Sequence, residues 1–229
     1  MNAILLAAGF GTRLKPLTDS VPKCLVPIKG QALLGIWLQR LSEAKIGPCL
    51  INTHYLPSQV NSYIESSPCS SQVTLCFEPE LNGTAGTLIK NLDFFNGKDG
   101  LLIHADNYCL ADFSAFLAAH RERPKGCLLT MMTFKTASPS SCGIVEVNES
   151  NVVTAFHEKV QNPPGNLANG AVYILSDELL TILASQFQTA RDFSTEILPK
   201  FIGKIFSYET YEIFMDIGTP ESYEAAQRT

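Results

Sequence analysis

Residues 5–28 read LLAAGFGTRLKPLTDSVPKCLVPI, and they decide the fold of the chain. The apolar run over residues 2–8 is typical of a strand buried on both faces, and it breaks into GFGTR at residues 9–13. A second cation, Lys23, follows Arg13 on the same loop. A glycine-lined backbone that carries two cations is suited to holding an anion such as a phosphate group.

Three phosphate-binding interpretations of this loop compete with a turn that binds nothing. A Walker A loop needs Lys and then Ser or Thr after its glycines, but here Leu14 follows Arg13. A dinucleotide fingerprint needs a third glycine at the position of Leu14 and a helix directly after it, whereas Pro16, Thr18 and Pro22 favour a loop. The loop alone leaves two alternatives open: a wrap around a triphosphate, or a strand-to-loop turn that binds nothing.

Composition limits the class of protein and its partners. The 229 residues, 45% of them hydrophobic and 17% charged, predict a single globular domain over residues 1–229. A net charge of -5 argues against nucleic acid or an anionic membrane as a partner, and no apolar run approaches the roughly 18 residues of a membrane span. Seven cysteines without CxxC spacing predict reduced thiols, so we expect a cytoplasmic protein.

Strand and helix patterns alternate over the first half of the chain. Strands are predicted at residues 2–8, 49–53, 73–78 and 100–106, and helices at 32–45, 57–64, 84–95 and 112–121. Beyond about residue 125, strand-like pieces follow one another with little helix until residues 193–201, which precede strands over 204–215 and a last helix from Pro220. The pattern predicts an α/β, Rossmann-like three-layer fold with a mixed, mainly parallel central sheet and ligands at the carboxyl ends of its strands.

Two carboxylates follow apolar strands far apart in the sequence. Asp106 ends the run GLLIHAD, and Asp216 stands in MDIGTPESY shortly before Gly218. Together they could hold one Mg²⁺, with the remaining positions taken by phosphates and water. The structural alternatives are a turn cap for Asp106 and a helix cap near Asp216. The four histidines show no metal-ligand spacing.

The stretch 5–28 resembles the signature loop of sugar-phosphate nucleotidyltransferases, GxGTRxxPLT followed by the lysine of a PK pair. The resemblance continues in family order to about residue 223. It implies that the loop encloses a nucleoside triphosphate, with Arg13 on the phosphates that leave as pyrophosphate and Lys23 on the α-phosphate under attack. The other implied nucleotide-binding residues of the loop are Leu6, Ala7, Ala8, Gly9, Gly11 and Thr12.

The same resemblance implies the metal ligands and the segment that reads the base. Asp106 and Asp216 match family positions that bind Mg²⁺, and Asp106 also counts among the nucleotide-binding residues. Residues 78–88, EPELNGTAGTL, resemble the base-reading and helix-opening segment, which implies nucleotide-binding roles for Glu78, Gly83 and Thr84. Its GTAG form is similar to that of mannose-1-phosphate guanylyltransferases, so GTP is favoured.

A third resemblance concerns the acceptor. Residues 156–175, FHEKVQNPPGNLANGAVYIL, resemble the FxEKP segment of the family and the strand after it. This implies that Glu158 and Asn169 bind sugar hydroxyls and that Lys159 faces the phosphate of the sugar. Gly143, in CGIV, matches the glycine-led strand under the sugar.

The implied reaction couples a nucleoside triphosphate, with GTP favoured, to a mannose- or heptose-type sugar 1-phosphate, and it yields a nucleotide sugar and pyrophosphate with Mg²⁺ as cofactor. Uridylyl, thymidylyl or cytidylyl transfer to another sugar phosphate stays open. A non-catalytic nucleotide-sugar sensor is the alternative outside enzymes, but the presence of Arg13, Lys23, Asp106 and Asp216 disfavours it. We expect no C-terminal β-helix domain, and a homo-oligomer is left open.

Overall fold

The computed structural model describes residues 1–229. The predicted α/β class is confirmed, because a mixed sheet with mainly parallel strands is flanked by helices. The strands are β1 (Ala3–Leu6), β2 (Pro27–Ile28), β3 (Gln31–Ala32), β4 (Cys49–Thr53), β5 (Val73–Phe77), β6 (Gly100–His104), β7 (Asn107–Cys109), β8 (Leu129–Lys135), β9 (Gly143–Val147), β10 (Val153–Glu158), β11 (Leu167–Leu175), β12 (Ile205–Glu209) and β13 (Phe214–Asp216). The helices are α1 (Leu33–Glu43), α2 (Pro57–Glu65), α3 (Thr84–Lys90), α4 (Phe113–Arg121), α5 (Asp177–Gln186) and α6 (Pro220–Arg228).

The chain divides into two compact units. Unit 1 comprises Met1–Leu81, Ile103–Ala111 and Glu212–Thr229, and unit 2 comprises Asn82–Leu102 and Asp112–Tyr211. None of the six α-helices combines the length and the apolar composition that a bilayer crossing requires.

In unit 1, β1, β4 and β5 pair in parallel. Leu6, the last residue of β1, lies opposite Asn52, and Asn52 lies opposite Cys76 on β5. All five residues of β4 are buried, as expected for a parallel strand covered on both faces, although Asn52 and Thr53 are polar. Because the strands are parallel and in register, the segments that follow them begin at one edge of the sheet.

A short antiparallel pair in unit 1 brings two distant segments together. β13 pairs with β7 so that Asp216 lies opposite Asn107, the residue after Asp106. Trp37 of α1 is buried and donates from its indole nitrogen to the carbonyl oxygen of Asn107 at 2.8 Å. Helix α1 therefore supports the same segment that pairs with β13.

In unit 2, β8 pairs in parallel with β12 and antiparallel with β11, and β9 pairs antiparallel with β10. Helix α5 interrupts a region where the sequence pattern indicated little helix. Its start signal is nevertheless local, because the hydroxyl oxygen of Ser176 accepts the N–H of Leu179 at 3.2 Å, and Asp177 and Glu178 occupy the first turn.

Two other predicted helices are shorter or less regular than expected. The helix predicted over residues 84–95 is α3 followed by a separate 3₁₀ turn at Leu92–Phe95. The helix predicted over residues 193–201 consists of a π-type turn at Phe193–Ile197 and a 3₁₀ turn at Leu198–Phe201. Pro199 lacks the N–H that a continuous α-helix would use there.

A buried histidine in unit 2 is neutral. His120 of α4 has its Nε2 3.2 Å from Oδ2 of Asp99 and its Nδ1 2.7 Å from Oγ1 of Thr130. Since an ionised carboxylate only accepts, Nε2 carries the hydrogen and Nδ1 accepts from the Thr130 hydroxyl. Burial, helped by Arg123, lowers the pKa of His120 to about 4, although Asp99 opposes the shift.

We predict that this histidine makes the folded state sensitive to mild acid. An unfolded histidine takes up its proton near pH 6.5, whereas folded His120 resists until about pH 4, so its contribution is complete above pH 6.5 and is lost as pH falls toward 4. The free energy of unfolding in urea should fall by about 2 kcal/mol between pH 7 and pH 5 on account of this group. His120→Gln should lack that part of the pH dependence, and an unchanged dependence would contradict the assignment.

Candidate active site

The glycine loop after β1 is built from short turns and folds against itself. Three 3₁₀ turns, at Thr12–Leu14, Leu17–Asp19 and Lys23–Leu25, replace any longer helix, as the loop prediction requires. Gly11 has a φ of +64°, and a Cβ there would lie 2.9 Å from Cγ2 of Thr18 and 3.0 Å from Cβ of Lys23. The two ends of the loop thus meet where only glycine fits.

Two cations and two carboxylates of unit 1 form one cluster. Nζ of Lys23 lies 2.8 Å from Oδ2 of Asp106 and 3.7 Å from Oδ1 of Asp216. The guanidinium of Arg13 lies 3.9 Å from Oδ2 of Asp216. The side chain of Lys23 is only 8% exposed, whereas those of Asp106 and Asp216 are 44% and 45% exposed. The sequence predicted functional roles for all four residues, and the structure brings all four together.

The charges in this cluster favour the ionised form of Asp106. Desolvation raises the pKa of Asp106, but the Lys23 ammonium and His104 outweigh it and hold that pKa below its usual value. Asp106 therefore stays anionic at neutral pH and can hold a cation. Because it lies in the turn between β6 and β7, two residues beyond the end of β6, its carboxylate is reached from solvent.

Gly218 lets Arg13 and Asp216 approach each other. A Cβ at position 218 would lie 2.8 Å from Oδ2 of Asp216 and 3.0 Å from a guanidinium nitrogen of Arg13. The next residue, Thr219, caps α6 reciprocally with Ser222: the Thr219 hydroxyl accepts the Ser222 N–H, and the Ser222 hydroxyl accepts the Thr219 N–H. The start of α6 thus fixes the segment that carries Asp216. The helix cap that the sequence indicated near Asp216 is formed by Thr219.

The cluster fits a divalent cation. Carboxylate oxygens are the donors that Mg²⁺ prefers, and proteins often hold it with one or two carboxylates plus phosphate and water. Asp106 and Asp216 supply two such groups, and the ammonium of Lys23 already occupies a position that contacts both. No group of three His, Cys, Asp or Glu side chains is arranged to hold a metal ion, so further ligands have to come from substrate and water.

Sequence reasoning missed a buried polar chain beside the loop. The N–H of Ala7 donates to Oδ1 of Asn52 at 2.7 Å, and Nδ2 of Asn52 donates to Oε1 of Glu78 at 3.0 Å. His54 contacts the carbonyl oxygen of Glu78 through Nδ1 at 2.7 Å. An amide side chain in a strand whose residues are all buried, CLINT, was the available signal, because buried polar groups need partners.

The segment between β4 and α2 also anchors the loop itself. The ring of Phe10 contacts His54 edge-on at a centroid distance of 5.3 Å and Tyr55 at 5.6 Å. The hydroxyl of Tyr55 donates to the carbonyl oxygen of Thr18 at 2.9 Å. Gln59 of α2 donates to the carbonyl oxygen of Ser20 at 2.9 Å. These contacts hold the loop at several points along its length.

Part of the implied acceptor site also forms a cluster, within unit 2. Gly143 lies opposite Glu158 in the β9–β10 pair, and a Cβ on Gly143 would come within 2.7 Å of the Glu158 carboxylate and the Phe156 ring. Nζ of Lys159 lies 3.3 Å from Oε1 of Glu158, and its backbone N–H donates to the carbonyl oxygen of Cys142 at 3.2 Å. Gly143, Glu158 and Lys159 are therefore neighbours.

Asn169 has a different local role. Its Oδ1 accepts the N–H of Ala171 at 2.9 Å and its Nδ2 donates to the hydroxyl of Tyr173 at 2.7 Å, across an irregularity in the pairing of β11 with β8. Neither hydrogen bond goes to Glu158 or Lys159. The side chain stabilises the bulge that lets β11 continue, and its remaining hydrogen-bonding capacity is one amide hydrogen and one lone pair.

Gly83 and Thr84, implied as nucleotide-binding, lie at the start of α3 in unit 2. Gly83 has a φ of +82°, and a Cβ there would collide with the carbonyl oxygen of Arg191. The hydroxyl of Thr84 accepts the N–H of Phe193 at 2.7 Å. Both residues pack against the segment before the turn at Phe193–Ile197, which gives each a structural role.

This fold, with a glycine loop and a cluster of cations and carboxylates beside it, is that of proteins which bind nucleotides at the carboxyl ends of parallel strands. A model of the nucleotidyl transferase family matches residues 2–229, and the chain belongs to that family. Nucleotidyltransferases of this family generally use a divalent metal ion.

Curated relatives and a solved structure are similar over nearly the whole chain. The mannose-1-phosphate guanylyltransferase catalytic subunit beta of Dictyostelium discoideum is 28% identical over 97% of this chain and 62% of its own length. The glucose-1-phosphate adenylyltransferase of Mycoplasma mobile is 30% identical over 99% of this chain and 66% of its own. The crystal structure of HddC from Yersinia pseudotuberculosis complexed with GMP-PN is 26% identical, with a TM-score of 0.82, over 99% of this chain and 98% of that one. The chain thus spans less than two thirds of the length of these curated relatives.

We predict that Gly218→Ala weakens nucleotide binding without unfolding the protein. The added Cβ must push Asp216 or Arg13 away from its present position, and loss of one hydrogen bond to a charged group costs about 1.5–3 kcal/mol, which lowers affinity about tenfold to a hundredfold. Isothermal titration with a nucleoside triphosphate and Mg²⁺ measures the loss. Gly165→Ala is the matched control, because a Cβ at position 165 meets nothing within 4 Å. Equal affinity of the two variants would contradict the packing argument.

Proposed function

We propose that the protein is a cytoplasmic sugar-1-phosphate nucleotidyltransferase that couples a nucleoside triphosphate to a sugar 1-phosphate and releases pyrophosphate. The observation that carries this proposal is the cluster of Arg13, Lys23, Asp106 and Asp216 beside the glycine loop. Membership of the nucleotidyl transferase family supports it. We further propose that residues 1–229 make up one nucleotidyltransferase domain.

The reaction requires the protein to neutralise charge on the phosphates, and it requires no covalent step on a protein side chain. An oxygen of the sugar phosphate forms the new bond to the α-phosphorus as the bond to the pyrophosphate oxygen breaks, so no protein nucleophile takes part. Lys23 would contact the α-phosphate and Arg13 the leaving phosphates, both as preorganised cations. Backbone N–H groups of the loop from Ala8 to Thr12 would bind the remaining phosphate oxygens, since the N–H of Ala7 already donates to Asn52. Asp106 and Asp216 would hold Mg²⁺, which supplies further positive charge.

GTP is the proposed nucleotide, and a mannose- or heptose-type sugar 1-phosphate the proposed acceptor. The GTAG segment at residues 83–86, the guanylyltransferase among the relatives and the GMP-PN complex of the similar structure support guanine. The adenylyltransferase among the relatives keeps adenine as the alternative. Glu78 is the proposed base-reading residue, and its bonds to Asn52 and His54 would hold it in place before the base arrives.

The acceptor would bind to unit 2. Lys159 would face the phosphate of the sugar, Glu158 and Asn169 would bind its hydroxyls, and Gly143 would let the sugar approach β9. The contacts of Glu158 with Lys159 and Gly143 support this grouping. The ion pair between Glu158 and Lys159 would keep both side chains in one orientation before the sugar phosphate arrives.

The proposed function is tested by a matrix of ATP, GTP, CTP, UTP and dTTP against several sugar 1-phosphates, with pyrophosphate release as the readout. We expect release with GTP and a mannose- or heptose-type acceptor to exceed every other combination. Release with another pair would change the substrates and keep the reaction class. Binding of nucleotide sugars without release in any combination would overturn the enzyme assignment in favour of a sensor.

We predict that Lys159→Ala impairs use of the sugar 1-phosphate and spares the nucleotide. Loss of the only cation in its segment should lower kcat/KM for the acceptor by about tenfold or more, whereas nucleotide affinity measured without acceptor should stay within about twofold. Lys135→Ala is the matched control, because Lys135 is an exposed cation of the same unit whose only ion pair is with Glu209 at 4.0 Å. Equal losses of acceptor use and nucleotide affinity in Lys159→Ala would place this segment in the nucleotide site.

A further inference from the structure

Lys23 is a buried lysine whose charge is matched by two carboxylates. Lysine is almost never buried without a partner, because desolvation of an ammonium is costly. Here Nζ has Oδ2 of Asp106 at 2.8 Å and Oδ1 of Asp216 at 3.7 Å, so one positive charge is shared between two acids. This is the arrangement in which a metal ion bridges two carboxylates, with an ammonium in its place.

The position of the ammonium follows from the loop. The stem of Lys23 packs against Gly11, where a Cβ would approach to 3.0 Å, and the residue begins a 3₁₀ turn after Pro22. The Cβ of Lys23 is held beside Gly11, but three side-chain torsions beyond it allow Nζ to move. The carboxylates of Asp106 and Asp216 are each nearly half exposed, so a cation carried by solvent or substrate can reach them.

We propose that Lys23 is a built-in stand-in for the divalent cation: its ammonium holds Asp106 and Asp216 together before metal binds, and the metal displaces it from them. The ammonium offsets the repulsion that the two carboxylates would otherwise exert on each other. The displaced ammonium then becomes available to a phosphate group. This inference rests on the metal assignment in the proposed function. It adds that the ammonium of Lys23 occupies the two carboxylates first and that the metal replaces it there.

The displacement predicts a competition between Lys23 and the metal. In the protein as folded, a metal has to separate an ammonium from a carboxylate that it contacts at 2.8 Å. A variant without that ammonium offers the same two carboxylates with no competing charge. Its metal affinity should therefore rise, whereas a residue that merely assists the metal would leave the affinity unchanged or lower it.

The experiment measures Mn²⁺ binding to the purified protein, without nucleotide or sugar, by electron paramagnetic resonance. We expect Lys23→Met and Lys23→Gln each to bind Mn²⁺ at least ~10-fold more tightly than the unmodified protein, since the metal no longer has to break the contact between an ammonium and a carboxylate. Lys15→Met is the matched control and should bind as the unmodified protein does. It removes the same charge from the same loop, but Lys15 pairs with Asp19 and contacts neither acid. Equal or weaker binding by both Lys23 variants would overturn the proposal.

A second measurement on the unmodified chain does not depend on how the variants fold. In crystals soaked with Mn²⁺, the anomalous signal should place the ion on Asp106 and Asp216 with Nζ of Lys23 withdrawn from Asp106. An ion on these acids with the 2.8 Å contact intact would overturn the proposal. Neither measurement uses substrate. Failure of the proposed function in the substrate matrix is therefore distinguishable from failure of the metal to displace Lys23.

Discussion

Parallel pairing of β1, β4 and β5 is the constraint on which the site in unit 1 depends. Because these strands run in one direction and in register, the glycine loop, the His54–Tyr55 segment and Glu78 all start from the same edge. The hydrogen bonds from Ala7 to Asn52 and from Asn52 to Glu78 then tie the three strand ends to one another. The backbone hydrogen bonds of the loop are confined to its short turns, so contacts with its neighbours also hold its conformation.

Electrostatics in unit 1 are local. The chain is acidic overall, with a net charge of -5, yet Arg13 and Lys23 concentrate positive charge beside the glycine loop. Two aspartates compensate these cations before any ligand is present, which avoids a buried uncompensated ammonium at Lys23. A phosphate ligand and a divalent cation arriving together would add charges of both signs to the same cluster, so the cation would offset part of the negative charge that the phosphate brings.

Much of unit 1 could be predicted from the sequence, since its main strands are largely apolar runs and its loop carries glycine, proline and cations in a long specific pattern. What could not be predicted is contact over long sequence separation. Nothing in the sequence indicates that Asn52 bridges Ala7 and Glu78, or that Lys23 shares its charge between two acids, because both depend on strand register. Helix α5 was missed for a different reason: its cap and first turn were present, but the strand pattern of the neighbouring segments dominated the prediction.

Three glycines of this chain leave room for side chains of the candidate sites to lie close to the backbone. The stem of Lys23 occupies the space beside Gly11. The Arg13–Asp216 pair occupies the space beside Gly218, and the Glu158 carboxylate occupies the space beside Gly143. A glycine-rich motif is often explained by the close approach of a ligand to the backbone. Here the first requirement is internal, because a Cβ at Gly218 or Gly143 would meet a charged group, and one at Gly11 would meet the stem of Lys23 and the methyl group of Thr18. The glycines and the charged residues therefore form one arrangement, in which the small residue sets how near the backbone the charge can lie.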